Sequence, residues 1–374
     1  MRNKTNIKQI APLLALGFIL LLLFSSGCGN TAVAPEEDIS SDSPVSESRI
    51  SIGMSFDSFV IERWIRDRDV FASTVRDLGA DVNIQNANGD VDEQISQIQY
   101  LIDKNVDVLV VIAADCSRMS DVMKEAQGKG IHTISYDRLV LGGGSDLYLS
   151  FDNREVGTLM AKALIEAVPG GGDIAMIQGA SEDNNVSMVR EGFLAEIDGS
   201  DLNIVYEANC AGWLSERGEE YAREALKEHP DIKGIMCGND DIASAVIRVL
   251  SEERLAGDVA VVGQDGDLAA CQRIMEGTQV MTAFKPVEDL ARTAAEYAVA
   301  LAGGSEAGDL SLSGTISDGA GDVDCLLLKP VAVNKENMKE IIIDGGYHSF
   351  EDVNLNVIGS DGKGQDEPDP DLQE

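Results

Sequence analysis

Polar side chains gather in short clusters just after apolar runs in this sequence, and their types are those that hold a small polyol. In the stretch Ile131–Gly157, IHTISYDRLVLGGGSDLYLSFDNREVG, the runs Ile131–Tyr136 and Leu147–Phe151 end in Asp137-Arg138 and Asp152-Asn153. Asp183-Asn184-Asn185 follows Ile174–Gln178, and Gly212-Trp213 follows Ile204–Ala208. Asn239-Asp240 follows Gly234–Cys237, Gln264-Asp265 follows Val259–Gly263, and Lys285 follows Thr282–Phe284. Carboxylates, amides and guanidinium groups bond hydroxyls in pairs, and an indole covers a C–H face. A sugar has both kinds of surface. Asn and Asp after a strand also cap the next helix, so residue type alone leaves both roles open at each position.

Other chemistries find less support. His132, His229 and His348 are far apart, with no second ligand at metal-binding spacing. Asn86-x-Asn88-x-Asp90-x-Asp92 lacks the central Gly and terminal Glu of a calcium loop and reads as a strand-to-helix turn. No dinucleotide fingerprint or serine elbow is present, so no cofactor is expected. Paired carboxylates such as Asp137 and Asp265 leave a carbohydrate-directed enzyme as an alternative. Beyond Cys28, the cysteines Cys116, Cys210, Cys237, Cys271 and Cys325 form no motif and no assignable disulfide.

The elements that must position these clusters alternate strand and helix. Ile50–Ser55, Val82–Gln85 and the continuous run Val106–Ile112 read as strands, the last buried on both faces. Glu62–Leu78, with Trp64, Phe71, Val75 and Leu78 at helical spacing, and Ser117–Lys129 read as helices, as does the segment carrying Ile95, Ile98, Ile102 and Val106. After Phe151 a helix over Asn153–Val168 restarts the alternation. The pattern predicts an α/β protein with two Rossmann-like lobes and parallel sheets, whose ligand sites lie beyond the carboxyl ends of the strands. The clusters then meet in the cleft between the lobes.

The chain has 374 residues, 44% of them hydrophobic, enough for two cores, and a formal charge of −36 that argues against nucleic acid. Arg2, Lys4 and Lys8 precede the apolar run Ile10–Phe24, which reads as an export signal ending before Ser25-Ser26-Gly27-Cys28. That end resembles the lipobox of bacterial lipoproteins, with Ser25 where Leu is usual. The resemblance implies a signal peptide of residues 1–27 and a lipid on Cys28, anchoring an exported protein on the outer face of the cell membrane or in the periplasm. Residues 28–49 read as a flexible linker and 359–374 as an acidic disordered tail.

From about Ile50 to His348 the chain resembles the sugar-binding (type I) periplasmic binding proteins of ABC transport systems, those for xylose most closely. The resemblance rests on Ile52-Gly53-Met54, Glu62-Arg63-Trp64, Asn86-Ala87-Asn88-Gly89, Tyr136-Asp137-Arg138, Ser150-Phe151-Asp152-Asn153, Asp183-Asn184-Asn185, Gly212-Trp213-Leu214, Asn239-Asp240, Gly263-Gln264-Asp265 and Phe284-Lys285-Pro286. The chain departs from the family at Phe284, where Tyr is frequent, and at Ala113-Ala114-Asp115-Cys116, in place of a loop richer in Pro and Asn. The resemblance implies two lobes joined by a three-segment hinge: residues 50–152 with about 285–315, and 153–284 with about 325–350. The third crossing is then expected within Leu310–Leu328. It implies that Arg63, Arg138, Asn153, Asn239, Asp265 and Lys285 bond sugar hydroxyls, with Asp137, Asp152 and Asn184 as further candidates, and that Trp64 and Trp213 cover the ring. A monomer that closes on a monosaccharide, D-xylose first, and passes it to an ABC permease is the function implied. A xylose sensor acting on a histidine kinase, or a binder of another sugar such as glucose, is the alternative.

Overall fold

The computed structural model describes residues 49–357, so the signal segment, Cys28, the linker up to residue 48 and the tail 359–374 lie outside the described residues. Within them no helix is long and apolar enough to cross a membrane.

The first half of the chain alternates as expected: β1 (Ser51–Phe56), α1 (Arg63–Asp77), β2 (Asp81–Asn86), α2 (Val91–Asp103), β3 (Val108–Val111), α3 (Ser120–Gly128), β4 (His132–Tyr136) and β5 (Leu147–Phe151). The alternation restarts with α4 (Asn153–Ala167), β6 (Gly172–Gln178), α5 (Asn184–Ile197), β7 (Leu202–Asn209), α6 (Ser215–Glu228), β8 (Gly234–Cys237), α7 (Asp240–Glu252), β9 (Ala260–Asp265), α8 (Leu268–Glu276) and β10 (Met281–Phe284). Then come α9 (Val287–Ala302), β11 (Gly314–Ser317), β12 (Asp322–Leu328), β13 (Val331–Val333) and the short α10 (Phe350–Val353).

These strands form two sheets, ordered β11-β12-β5-β4-β3-β1-β2 and β13-β10-β9-β8-β6-β7. All pairings are parallel except β11 with β12 and β13 with β10. Such sheets need helices on both faces, and β3 is accordingly buried along its whole length. Trp64, Phe71 and Val75 turn α1 inward, whereas Leu78 caps the helix and is exposed. The alanines Ala291, Ala294, Ala295 and Ala298 are buried on α9, which packs against α1. The turn Asn86–Asp90 is the expected link between strand and helix: Asp90 caps α2 by accepting from the backbone N–H of Asp92 and Glu93. The five cysteines in the described residues are all buried and free.

The chain passes between the sheets three times. Two passages follow β5 and β10. The third was expected within Leu310–Leu328, with the second lobe resuming at about residue 325; it lies instead at Lys329-Pro330. β12 stays in the first sheet through Leu328, pairing Cys325 with Tyr148 and Leu328 with Phe151. The reason is packing, because Val323 and Cys325 are buried with Leu139 and Tyr148.

In the second lobe, α4 and α5 touch backbone to backbone at two glycines. A Cβ on Gly157 would stand 1.9 Å from the Val189 carbonyl oxygen, and one on Gly192 would stand 1.9 Å from that of Arg154. Neither neighbour is a side chain that could swing away. Gly157→Ala therefore should lower the unfolding free energy in urea by about 1–3 kcal/mol, the usual cost of overpacking. An unchanged midpoint would mean that the helices separate freely.

Candidate functional site

The carboxyl ends of the two sheets face each other across one cavity. The first lobe lines it with Ile61, Arg63, Trp64, Asp137 and Arg138, and Lys285 joins them at the second passage between lobes. The second lobe contributes Gln178, Gly179, Asp183, Asn185, Val186, Val189, Trp213, Met236, Gly238, Gln264 and Asp265. Several of these follow a strand directly: Asp137 follows β4, Gly179 follows β6 and Gly238 follows β8. Asp137, Trp213 and Asp265 have φ of +62°, +59° and +103°. Such backbone is uncommon for residues other than glycine and collects at functional sites.

A buried ion network surrounds the cavity. Arg63 Nη1 donates to Asp137 Oδ2 at 2.9 Å, while its Nε and Nη2 donate to the two oxygens of Asp67 at 3.2 and 3.0 Å. Asp67, fully buried on the same helix, also accepts a short hydrogen bond from the Tyr136 hydroxyl. Burial opposes a charge on Arg63, but Asp67 and Asp137 outweigh it and hold its pKa well above the ordinary value. Burial would also raise Asp137, yet Arg63, then Lys285 and Arg138, hold its carboxyl below the usual range. Arg138 Nη1 donates to Asp57 Oδ2 at 2.7 Å and to the Ala113 carbonyl at 2.9 Å. Its Nε lies 2.7 Å from Asp183 Oδ2 of the other lobe. Burial pushes both Asp57 and Asp183 upward, the Arg138 charge notwithstanding. Lys285 Nζ lies 3.3 Å from Asp265 Oδ1.

The lobes also touch directly. Asn185 Nδ2 donates to the Asp137 carbonyl at 3.0 Å and to its Oδ1 at 3.1 Å. Tyr148 donates its hydroxyl to Asn185 Oδ1 at 3.3 Å. Nearby, Asn184 Oδ1 accepts from the Leu139 N–H at 3.2 Å, and the Cys116 N–H donates to the Glu182 carbonyl at 3.1 Å.

Seven of the expected site residues line this cavity: Arg63, Trp64, Asp137, Arg138, Trp213, Asp265 and Lys285. Asp152 does not. It caps α4, accepting from the Glu155 N–H at 3.1 Å, so its carboxylate serves the helix. Asn184 does not either, because its amide oxygen is taken up by the seam between the lobes. Asn153 and Asn239 are buried off the cavity wall; Asn239 caps α7 through Oδ1, and Asn153 donates to Ser150 Oγ. Each keeps one amide atom without a partner among the described residues, Asn239 Nδ2 and Asn153 Oδ1. Trp64 is 2% exposed, sits edge-on to Phe56 in the core and also forms part of the cavity wall.

Asp183, Asn185 and Gln264 also line the cavity; they stand in the expected strand-end clusters, where only their neighbours Asn184 and Asp265 were singled out, and Gln178 was not anticipated. Gln178 ends β6 and Gln264 stands next to last in β9, which is the positional signal that could have found them. On the cavity wall, Trp64 Nε1, Trp213 Nε1, Arg138 Nη2, Gln178 Oε1 and Gln264 Oε1 are buried and have no hydrogen-bond partner among the described residues. Buried polar groups are ordinarily paired, so unpaired donors and acceptors on the wall of one cavity that two indoles also line are suited to a ligand rich in hydroxyls. Among the described residues no cluster of His, Cys, Asp and Glu could hold a metal ion.

A family model described as a periplasmic binding protein domain matches residues 52–306. The chain is 40% identical over 304 residues to the D-xylose-binding periplasmic protein of Escherichia coli, covering 80% of this chain and 91% of that protein. It is 38% identical over 309 residues to the D-xylose-binding periplasmic protein of Haemophilus influenzae, covering 81% and 92%. A solved ABC transporter solute-binding protein from Clostridium phytofermentans with bound β-D-glucose superposes with a TM-score of 0.74 at 26% identity, covering 81% of this chain and 99% of that one.

The network itself can be tested without a ligand. Truncating Asp67 would leave the Arg63 charge buried with one partner fewer, and breaking a buried pair in this way costs about 3–5 kcal/mol. Asp67→Ala should lower the unfolding free energy by that amount in a denaturant titration, and Asp67→Asn, which keeps an acceptor, should lower it less. Equal stability of Asp67→Ala and wild type would show that the pair carries no weight.

Proposed function

The chain belongs to the sugar-binding (type I) periplasmic binding proteins, and from that premise we propose that it captures D-xylose between its lobes and delivers it to an ABC permease. It is a sugar-binding transport protein, not an enzyme, and its fold is the two-lobed α/β arrangement of that family. The observation that carries the sugar reading is the convergence of unpartnered buried donors and acceptors on a cavity walled by Trp64 and Trp213. A pyranose with equatorial hydroxyls presents flat C–H faces to indoles and directs its hydroxyls to the rim. Arg63, Asp137, Arg138, Asp265 and Lys285 are the charged groups that would bond those hydroxyls, joined by Asn185, Gln178 and Gln264. Both lobes supply them, so the full set of bonds exists only when the lobes are closed, and this difference shifts the equilibrium toward closure.

The names of the two D-xylose-binding relatives support xylose. Glucose is the second reading, favoured by the glucose bound in the structural relative, and it differs from xylose by one hydroxymethyl group. Calorimetry with xylose, glucose and ribose separates the readings. Xylose should bind tightest, and ribose should lose about 1–3 kcal/mol because its inverted hydroxyl leaves a buried group unpaired. Asp265→Ala should weaken xylose about ten- to a hundredfold, since hydrogen bonds to charged groups contribute about 1.5–3 kcal/mol. Tighter binding of ribose, or an Asp265→Ala variant of unchanged affinity, would overturn the assignment.

The export segment and Cys28 support a lipid anchor that holds the protein at the outer face of the membrane. Cys28→Ser should then fail to take up labelled fatty acid and lose its partition into detergent. Wild-type partition of the processed variant would end the lipoprotein reading.

A further inference from the structure

We propose that Gly179 is a positioning residue, setting where the Trp213 indole stands in the cavity and so which monosaccharide the cavity accepts; this rests on the sugar reading above. A Cβ at position 179 would stand 2.2 Å from Trp213 Cη2 and 2.4 Å from both Cζ2 and Cζ3. Carbon atoms in contact rest at about 3.5–4.0 Å, so the far edge of the six-membered ring lies directly against the Gly179 Cα. The backbone at 179 is outside the left-handed region and would accept any residue. The three atoms nearest to such a Cβ all belong to the indole, and that clash is what calls for glycine there.

The ring, not the strand end, must yield to a larger residue. Asn209 Nδ2 donates to the Gly179 carbonyl at 2.9 Å. Gly238, at the end of the neighbouring strand, packs so closely that a Cβ on it would lie 2.4 Å from the Gly179 nitrogen. Gly238 is itself tied by its N–H to the Ile177 carbonyl at 2.7 Å, and its carbonyl accepts from Gln264. The indole has no comparable tether. Its Nε1 is unpartnered, and it is presented by a short turn, Ala211–Trp213, in which Gly212 and Trp213 both have positive φ. Gly179 and Trp213 both line the cavity, so moving the ring reshapes the wall against which a sugar would lie.

The test needs a readout in the ligand-free protein and one with sugar. The chain has two tryptophans, so protein labelled with 5-fluorotryptophan carries two fluorine resonances, and Trp213→Phe identifies that of Trp213. Gly179→Ala should shift the Trp213 resonance while leaving that of Trp64 in place. It should also weaken D-xylose by about tenfold or more and change the xylose-to-glucose ratio. In the Trp213→Phe background, where the fused ring is gone, the same substitution should cost less than about threefold, a coupling that a merely structural glycine would not give. If Gly179→Ala fails to fold, recovery of folding in the double variant upholds the seat, and failure there overturns it. An unmoved resonance, or equal losses in both backgrounds, overturns it as well. Should wild type bind neither sugar, the sugar reading falls, while the ligand-free resonance still decides the seat.

Discussion

The Arg138 guanidinium is the point on which the arrangement of the lobes depends. It is almost wholly buried at the end of β4, and a buried charge is tolerated only where it is paired and hydrogen-bonded. Asp57, which follows β1, provides one partner within the same lobe. Asp183 provides the other from across the cleft, so the second half of the charge's coordination exists only while the lobes are together. Arg63 repeats the design within the first lobe, held by Asp67 from its own helix and by Asp137 from β4.

That pairing dictates the topology around it. Carboxylates and guanidinium groups are brought together here because many strand ends point at one place, as the facing carboxyl ends of two parallel sheets do. The passages after β5 and β10 then lie beside the cavity, and Lys285 sits on one of them with its ammonium toward Asp265. A residue at a passage between the lobes is thereby also part of the cavity wall.

The same atoms serve helix ends and ligands, which explains how four expected site residues came to lie off the wall. A carboxylate or amide oxygen after a strand can accept from the first turn of the next helix. Asp152 and Asn239 do this. Asn184 satisfies backbone and thiol donors of the opposite lobe, while Asn185, one residue later, reaches the cavity beside Asp137. Indoles show a related overlap, since Trp64 fills the core of the first lobe with one part and lines the cavity with another.

Local pattern alone determined the alternating strands and helices, the two-lobed class and the clusters at strand ends, because side-chain period and turn chemistry are properties of neighbours in the chain. The family blocks added Arg63 and singled out, within those clusters, Asp137, Arg138, Asp265 and Lys285, all of which line the cavity. What neighbours cannot specify is direction across space. Which of two adjacent asparagines faces a ligand depends on the residue at which α5 begins. The sheet that takes β12 depends on Leu139 and Tyr148, far away in sequence. Glycine at 179 has no reason in its own backbone; its reason is an indole 34 positions later, brought over it by the packing of β6 and β8 and by the turn after β7. Contacts of that kind arise only once the chain is folded, and there the tertiary structure decided.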